Sequence, residues 1–186
     1  KESAMEPSSV QSQHIPMAVV GGPEAVPAEN RPVVNVIPAT LADLPGILQV
    51  VNKYSRRGDL LPRSEESIRN TINNWVIAKT EDGVVLGVGS LLFYTPVLAE
   101  VRSLAVADEA QGLGLGGKIV ARLIAEARHL RVPTLFALTR AVGFFQRMGF
   151  SITDKELFPQ KVWTDCAICP LKDNCDETAV VLELTD

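Results

Sequence analysis

Positive charge is scarce in this chain: 18 Lys and Arg stand against 22 Asp and Glu, a formal net charge of −4 over 186 residues, with a pI of about 5.3. That balance offers no basic field to a nucleic-acid backbone, so no nucleic-acid partner is expected. Long apolar runs are missing as well: none approaches the roughly 20 residues that span a bilayer, and "MAVV" at 17–20 lacks the basic flank and the length of a secretory signal. The expectation is a cytoplasmic protein without membrane contact. Cysteine is limited to Cys166, Cys169 and Cys175, crowded into "DCAICPLKDNC". An odd, clustered set argues against an extracellular disulfide framework. The C-x-x-C spacing suits zinc, but a closed site takes four ligands, and Asp165, Asp173, Asp176, His14 or His129 would have to complete it. Reduced thiols in a Pro-containing turn, with no metal, are expected instead.

A chain that is 46% hydrophobic and 22% charged is long enough to bury one good core. Residues 1–32 hold five prolines and no periodic apolar face, so burial there does not offset the entropy of ordering. They read as a tail, and 33–186 as a single domain. Within it "VVNVI" (33–37) reads as a strand. Thr40 and Asp43 are capping candidates for a helix carrying Leu44, Ile47, Leu48 and Val51. Residues 63–74 form a second helix with Ser64 as its cap, and "WVIAK" and "VVLGVGSLLFYT" form a hairpin about Asp82-Gly83. "AEVRSLAVA" (99–107) alternates and then turns wholly apolar, as a strand covered on both faces does. A helix with Ile119, Val120, Leu123, Ile124 and Ala127 on one face follows, then a strand at 133–139, a short helix at 142–150 closed by Gly149, and a last strand at 179–184. The fold class is α/β in the broad sense (α+β), a mixed central sheet with flanking helices.

Between the 99–107 strand and its helix lies a glycine cluster that satisfies three phosphate patterns at once. Gly112, Gly117 and Lys118 match G-x-x-x-x-G-K, but Ile119 stands where a hydroxyl must hold magnesium. Gly112, Gly114 and Gly117 match the dinucleotide G-x-G-x-x-G, but "TLFALTR" offers no acidic residue for the ribose. What remains is a pyrophosphate cradle in which glycines expose backbone N–H groups at a helix N-terminus.

"LAVADEAQGLGLGGKIVARLIAEA" (104–127) resembles the acetyl-CoA motif of the GCN5-related N-acetyltransferase (GNAT) superfamily, and "FFQRMGF" its later aromatic-x-x-x-G-F segment. Within it, "LLPRSEESI", "AEVRSLAV" and "LFALTRAVGFFQRMGF" resemble N-acetylglutamate synthases, as does the tail "FPQKVWTDCAICPLKDNCDE". The resemblance implies a GNAT fold with acetyl-CoA in the splay between central strands. It gives the backbone of Leu104, Ala105 and Val106 to the pantetheine arm, and Gln111, Gly112, Leu113, Gly114, Leu115, Gly116, Gly117 and Lys118 to the pyrophosphate. In a chain of 186 residues, the amino-acid-kinase domain of the long synthases, and arginine feedback through it, are not expected.

An ammonium must lose a proton before it attacks a thioester, and a carboxylate beside an apolar strand suits that task. Glu100 is the candidate base, standing where the synthase family carries its proposed one. Many acetyltransferases place a Tyr acid four residues before the G-F pair; here that residue is Phe145. By the same resemblance Arg63 binds a substrate carboxylate, with Leu61 and Ser103 beside it; Arg102 and Lys161 are further basic candidates by their charge, Lys161 for the second carboxylate. The expected activity is acetylation of the α-amine of L-glutamate, the first step of arginine synthesis. Two alternatives remain: a GNAT acting on another small amine or a protein N-terminus, and a non-catalytic acyl-CoA sensor. Oligomeric state, a homodimer included, is left open.

Overall fold

The computed structural model describes residues 33–159, 165–169 and 171–184. The expectations for 1–32 and for Lys161 therefore lie outside the described residues. Strands β1 (Val34–Pro38), β2 (Trp75–Thr80), β3 (Val85–Thr95), β4 (Leu98–Val106), β5 (Thr134–Thr139), β6 (Ser151–Thr153) and β7 (Thr178–Glu183) build one sheet with helices α1 (Leu44–Arg56), α2 (Glu65–Asn70), α3 (Leu115–His129) and α4 (Val142–Arg147). The strand order is β1-β2-β3-β4-β5-β7-β6, antiparallel except where β4 runs parallel to β5.

The two-residue alternation of the strands divides the core between the two faces of the sheet. Val76 and Ala78 of β2 join Ile119, Val120, Leu123 and Ala127 of α3 on one face. Trp75 and Ile77 join Ile47 and Val51 of α1 and Ile68 of α2 on the other. Ile47, Val51, Ile68, Ile77, Ile119 and Val120 are each 0% exposed, and full burial of such a side chain contributes about 1.5–3 kcal/mol. Gly89 sets how closely α3 approaches, because a Cβ there would stand 2.8 Å from Ile119 Cγ2.

Asp43 ties α1 to the sheet. Its Oδ2 accepts from the Thr40 N–H and hydroxyl, each at 2.8 Å, and its Oδ1 from Lys79 Nζ at 2.6 Å. Burial works against its charge, but the Lys79 and Thr40 hydrogen bonds outweigh it and hold the carboxyl below its ordinary value. Ser64 caps α2 by accepting the Ser67 N–H at 3.1 Å. That helix is shorter than the sequence indicates: it stops at Asn70, and a 3-10 turn at Ile72–Asn74 leads straight into β2. Strand β6 has no sequence signature because three residues are too few to display a period; it exists through its pairing with Ala179–Val181 of β7.

Two features of β4 create the site. Its pairing to β5 runs only from Leu98–Thr134 to Glu100–Phe136, so the two strands diverge beyond Glu100. On its other edge the register to β3 shifts between Val88–Ala105 and Ser90–Arg102, and Ser103 there has φ 53°. This bulge, with a non-glycine residue in the left-handed region, turns the strand where the divergence begins.

Candidate active site

The divergence of β4 and β5 opens a cavity of about 960 Å³. Leu61 and Arg63 of the α1–α2 loop, Glu100 to Leu104 of β4, Leu138 to Ala141 at and just after the end of β5, and Phe144 and Phe145 of α4 all contribute to its wall. Phe158, Lys155 and, from the tail, Cys166, Ala167, Cys169, Leu171 and Cys175 close the far side. Leu61, Arg63, Glu100, Arg102, Ser103 and Leu104, six of the residues singled out in the sequence, thus meet on one surface although Arg63 and Glu100 lie on different elements.

Along the edge of β4 that faces away from β3, the backbone beyond Glu100 is not paired to β5. Ala107 N–H bonds to Leu86 O at 2.7 Å, so by alternation Val106 and Leu104 direct their backbone groups to the opposite edge, where β5 has already departed. The Val106 carbonyl is engaged there: the Tyr54 hydroxyl donates to it at 2.6 Å and the Gln111 amide at 3.4 Å. Ala105 turns inward and packs in the α1 core. The Tyr54 hydroxyl also lies 3.0 Å from Asp108 Oδ1. Arg57 meets both oxygens of Asp108, at 2.9 and 2.7 Å. Arg57, Lys53 and Tyr54 hold that carboxyl well below the usual range and fix the turn that leads into the glycine loop.

In the loop, Gly112 and Gly114 have φ of 79° and 74°, and a Cβ on either would meet open space within 4 Å. Gly114 is the N-cap of α3; Leu115 is buried 3% exposed at its first turn, Leu113 packs against the core, and Lys118 is exposed. Gly116 and Gly117 lie over Phe144 and Met148. The residues present fit a pyrophosphate: glycine backbone that approaches without side chains, at the positive end of a 15-residue helix. Gly114→Val combines left-handed strain with a side chain in the cradle, so acetyl-CoA affinity falls at least about tenfold while the fold survives. Calorimetry on the folded variant checks this, and unchanged affinity would refute the cradle.

Glu100 is 2% exposed, and the Tyr94 hydroxyl of β3 donates to its Oε2 at 2.8 Å. Tyr94 in turn lies against Phe136, which stacks on Phe158 with ring centroids 4.0 Å apart. The carboxylate is therefore oriented by a hydroxyl and walled by aromatic rings. Phe145, at the place of the usual Tyr acid, is 4% exposed and packs in a T against Phe150.

Arg63 makes the two-pronged carboxylate contact that its residue type suits, but the carboxylate is Asp165 of the chain's own tail. Nη1 and Nη2 donate to Oδ1 and Oδ2 at 3.0 and 2.8 Å. Arg102 reaches the same Oδ2 only at 3.5 Å, and its Nε, like that of Arg63, is buried without a hydrogen-bond partner among the described residues. Asp165 as a carboxylate partner, Tyr94 as holder of Glu100 and Lys155 on the cavity wall were not singled out by sequence. Lys155 donates to the Cys175 thiol at 3.3 Å. Among the described residues no group of three or more His, Cys, Asp or Glu is placed to hold a metal, and no helix is long and apolar enough to cross a membrane.

A parallel strand pair that splays at a bulge, with a glycine cradle at a helix N-terminus beside it, defines a coenzyme A-dependent acyltransferase. Comparison with known proteins agrees. The profile of the acetyltransferase (GNAT) family matches residues 48–150, and the chain belongs to that family. It is 41% identical over 146 residues to an uncharacterised N-acetyltransferase of Chlorobaculum tepidum, covering 78% of this chain and 94% of that one. It is 35% identical over 127 residues to an amino-acid acetyltransferase of Mycobacterium tuberculosis, covering 67% and 71%. The N-acetylglutamate synthase of Neisseria gonorrhoeae, solved with coenzyme A and N-acetyl-glutamate, superimposes with a TM-score of 0.71 at 27% identity. That match covers 84% of this chain but 36% of the synthase. The cofactor is coenzyme A, carried in as acetyl-CoA.

Proposed function

We propose that the chain acetylates the α-amine of L-glutamate, the first step of arginine synthesis. The observation that carries this reading is Arg102: its side chain is 11% exposed, its guanidinium has one long contact, and it shares a cavity with Glu100. A buried cation so poorly matched is stabilised by an incoming carboxylate. The names of the Mycobacterium and Neisseria relatives support an amino-acid substrate.

Acetyl-CoA supplies the acetyl group as an activated thioester. The chain does the rest. The loop 112–117 and the N-terminus of α3 balance phosphate charge, and the Leu104 and Val106 edge aligns the pantetheine arm. Arg102 receives one carboxylate of glutamate, and Lys155 on the far side of the cavity receives the other. Glu100, held by Tyr94, accepts the proton of the α-ammonium, directly or through a water. The test is thiol release with glutamate and glutamine side by side. Glutamate is favoured in kcat/KM by at least about tenfold, since glutamine leaves Lys155 unmatched. Equal values remove the glutamate reading, and no thiol release with any amine leaves only an acyl-CoA-binding protein.

A further inference from the structure

Arg63 and Asp165 form a closed pair across 102 residues of sequence. Their side chains are only 11% and 9% exposed, and the two parallel hydrogen bonds have the geometry in which a guanidinium grips a carboxylate. Arg102 stands apart: among the described residues its terminal nitrogens make only the 3.5 Å contact to Asp165. The charge preferences of the two arginines differ accordingly. Burial works against the Arg63 charge, but Asp165 more than restores it; burial and then the like charge of Arg63 push Arg102 below its ordinary value. Asp165 neutralises one guanidinium by direct contact, and among the described residues the other is offset only at longer range, by Asp165 and Glu100.

We propose that Asp165 is a specificity-determining residue: by occupying the Arg63 fork from within the chain, it limits the arginine pair to a single substrate carboxylate, received by Arg102. The inference rests on the reading of the cavity as an amino-acid site. Asp165 acts through Arg63 rather than by touching substrate. It follows Trp163 and Thr164 and opens the 3-10 turn at Cys166–Ile168, so the tail that closes the cavity also fixes how many charges the cavity reads. Without that resident carboxylate, Arg63 would offer a second two-pronged anchor, and the pair would hold small dicarboxylates of many lengths indiscriminately.

Asp165→Asn keeps the shape and one oxygen acceptor but removes the charge. Titrating glutarate, a dicarboxylate without an amine, into the coenzyme A-loaded variant by calorimetry shows affinity about tenfold tighter than native. A merely structural Asp165 would give no gain, so unchanged or weaker binding by the folded variant overturns the proposal. Where Asp165→Asn does not fold, Asp165→Ser, which also removes the charge and leaves the Arg63 fork in place, is titrated instead, with the same gain of about tenfold expected and the same overturning result. Arg63→Gln/Asp165→Asn serves as the control that removes the fork: a gain of about tenfold there overturns the proposal, because the gain would not come from Arg63. Failure of the glutamate reading appears separately, as absent acetylation of glutamate by the native protein, because the glutarate measurement needs no turnover.

Discussion

Glu100→Gln lowers kcat on the order of 100-fold at neutral pH, the usual size of a general-base contribution, and leaves acetyl-CoA affinity unchanged. The substitution is nearly isosteric, and the amide oxygen still accepts the Tyr94 hydroxyl that now lies 2.8 Å from Oε2, so packing is kept while the proton acceptor is lost. The pH profile identifies the cause. At pH 7 an α-amine is almost wholly protonated, and a variant without a base depends on the small free-amine fraction. Its rate therefore climbs about tenfold per pH unit until the amine itself titrates, and the gap to native enzyme closes in alkali. Near-native turnover at pH 7, or a gap that persists unchanged at high pH, would make Glu100 a structural residue of the β4–β5 junction.

What the sequence displayed and what it concealed divide by range. The period of α3 and the glycine density before it are local, and they placed that helix and the strand ahead of it within a residue or two. The position of Glu100 on the cavity wall was legible because it sits in that same strand, at the place the family resemblance marks. The Arg63 fork was legible as chemistry but not as a partner: Asp165 lies 102 residues away in a tail whose Cys, Pro and Asp residues carry no helical or strand period. There it reads as a ligand to complete a metal site rather than as a counter-ion. Tyr94 was hidden for the opposite reason, since an aromatic residue in an apolar strand looks like core until the register pairs Leu92 with Glu100 and brings β3 and β4 into step. The bulge at Ser103 was equally silent, because left-handed backbone at a serine arises from the tertiary turn of the strand and not from local preference.

Arg102→Ala raises the KM for the amino-acid substrate about 100-fold, with kcat changed by only severalfold. The size follows from removing one partner of a buried, charge-assisted contact, which typically costs about 2–5 kcal/mol, and the form follows from an anchor that grips ground state and transition state alike. Arg102 is suited to this because its described neighbours do not satisfy it: one contact at 3.5 Å, no partner for Nε among them, and Arg63 alongside repelling its charge. Its removal also relieves that repulsion, so the empty protein keeps or gains stability and the loss is confined to substrate. Arg102→Lys recovers only part of the affinity, because a point charge on a flexible stem replaces a planar fork. Steady-state kinetics at saturating acetyl-CoA, with thermal unfolding of the free variant beside them, separate the two effects. A variant that keeps its native KM would move the carboxylate anchor away from β4 and leave the arginine pair as a structural clamp on Asp165.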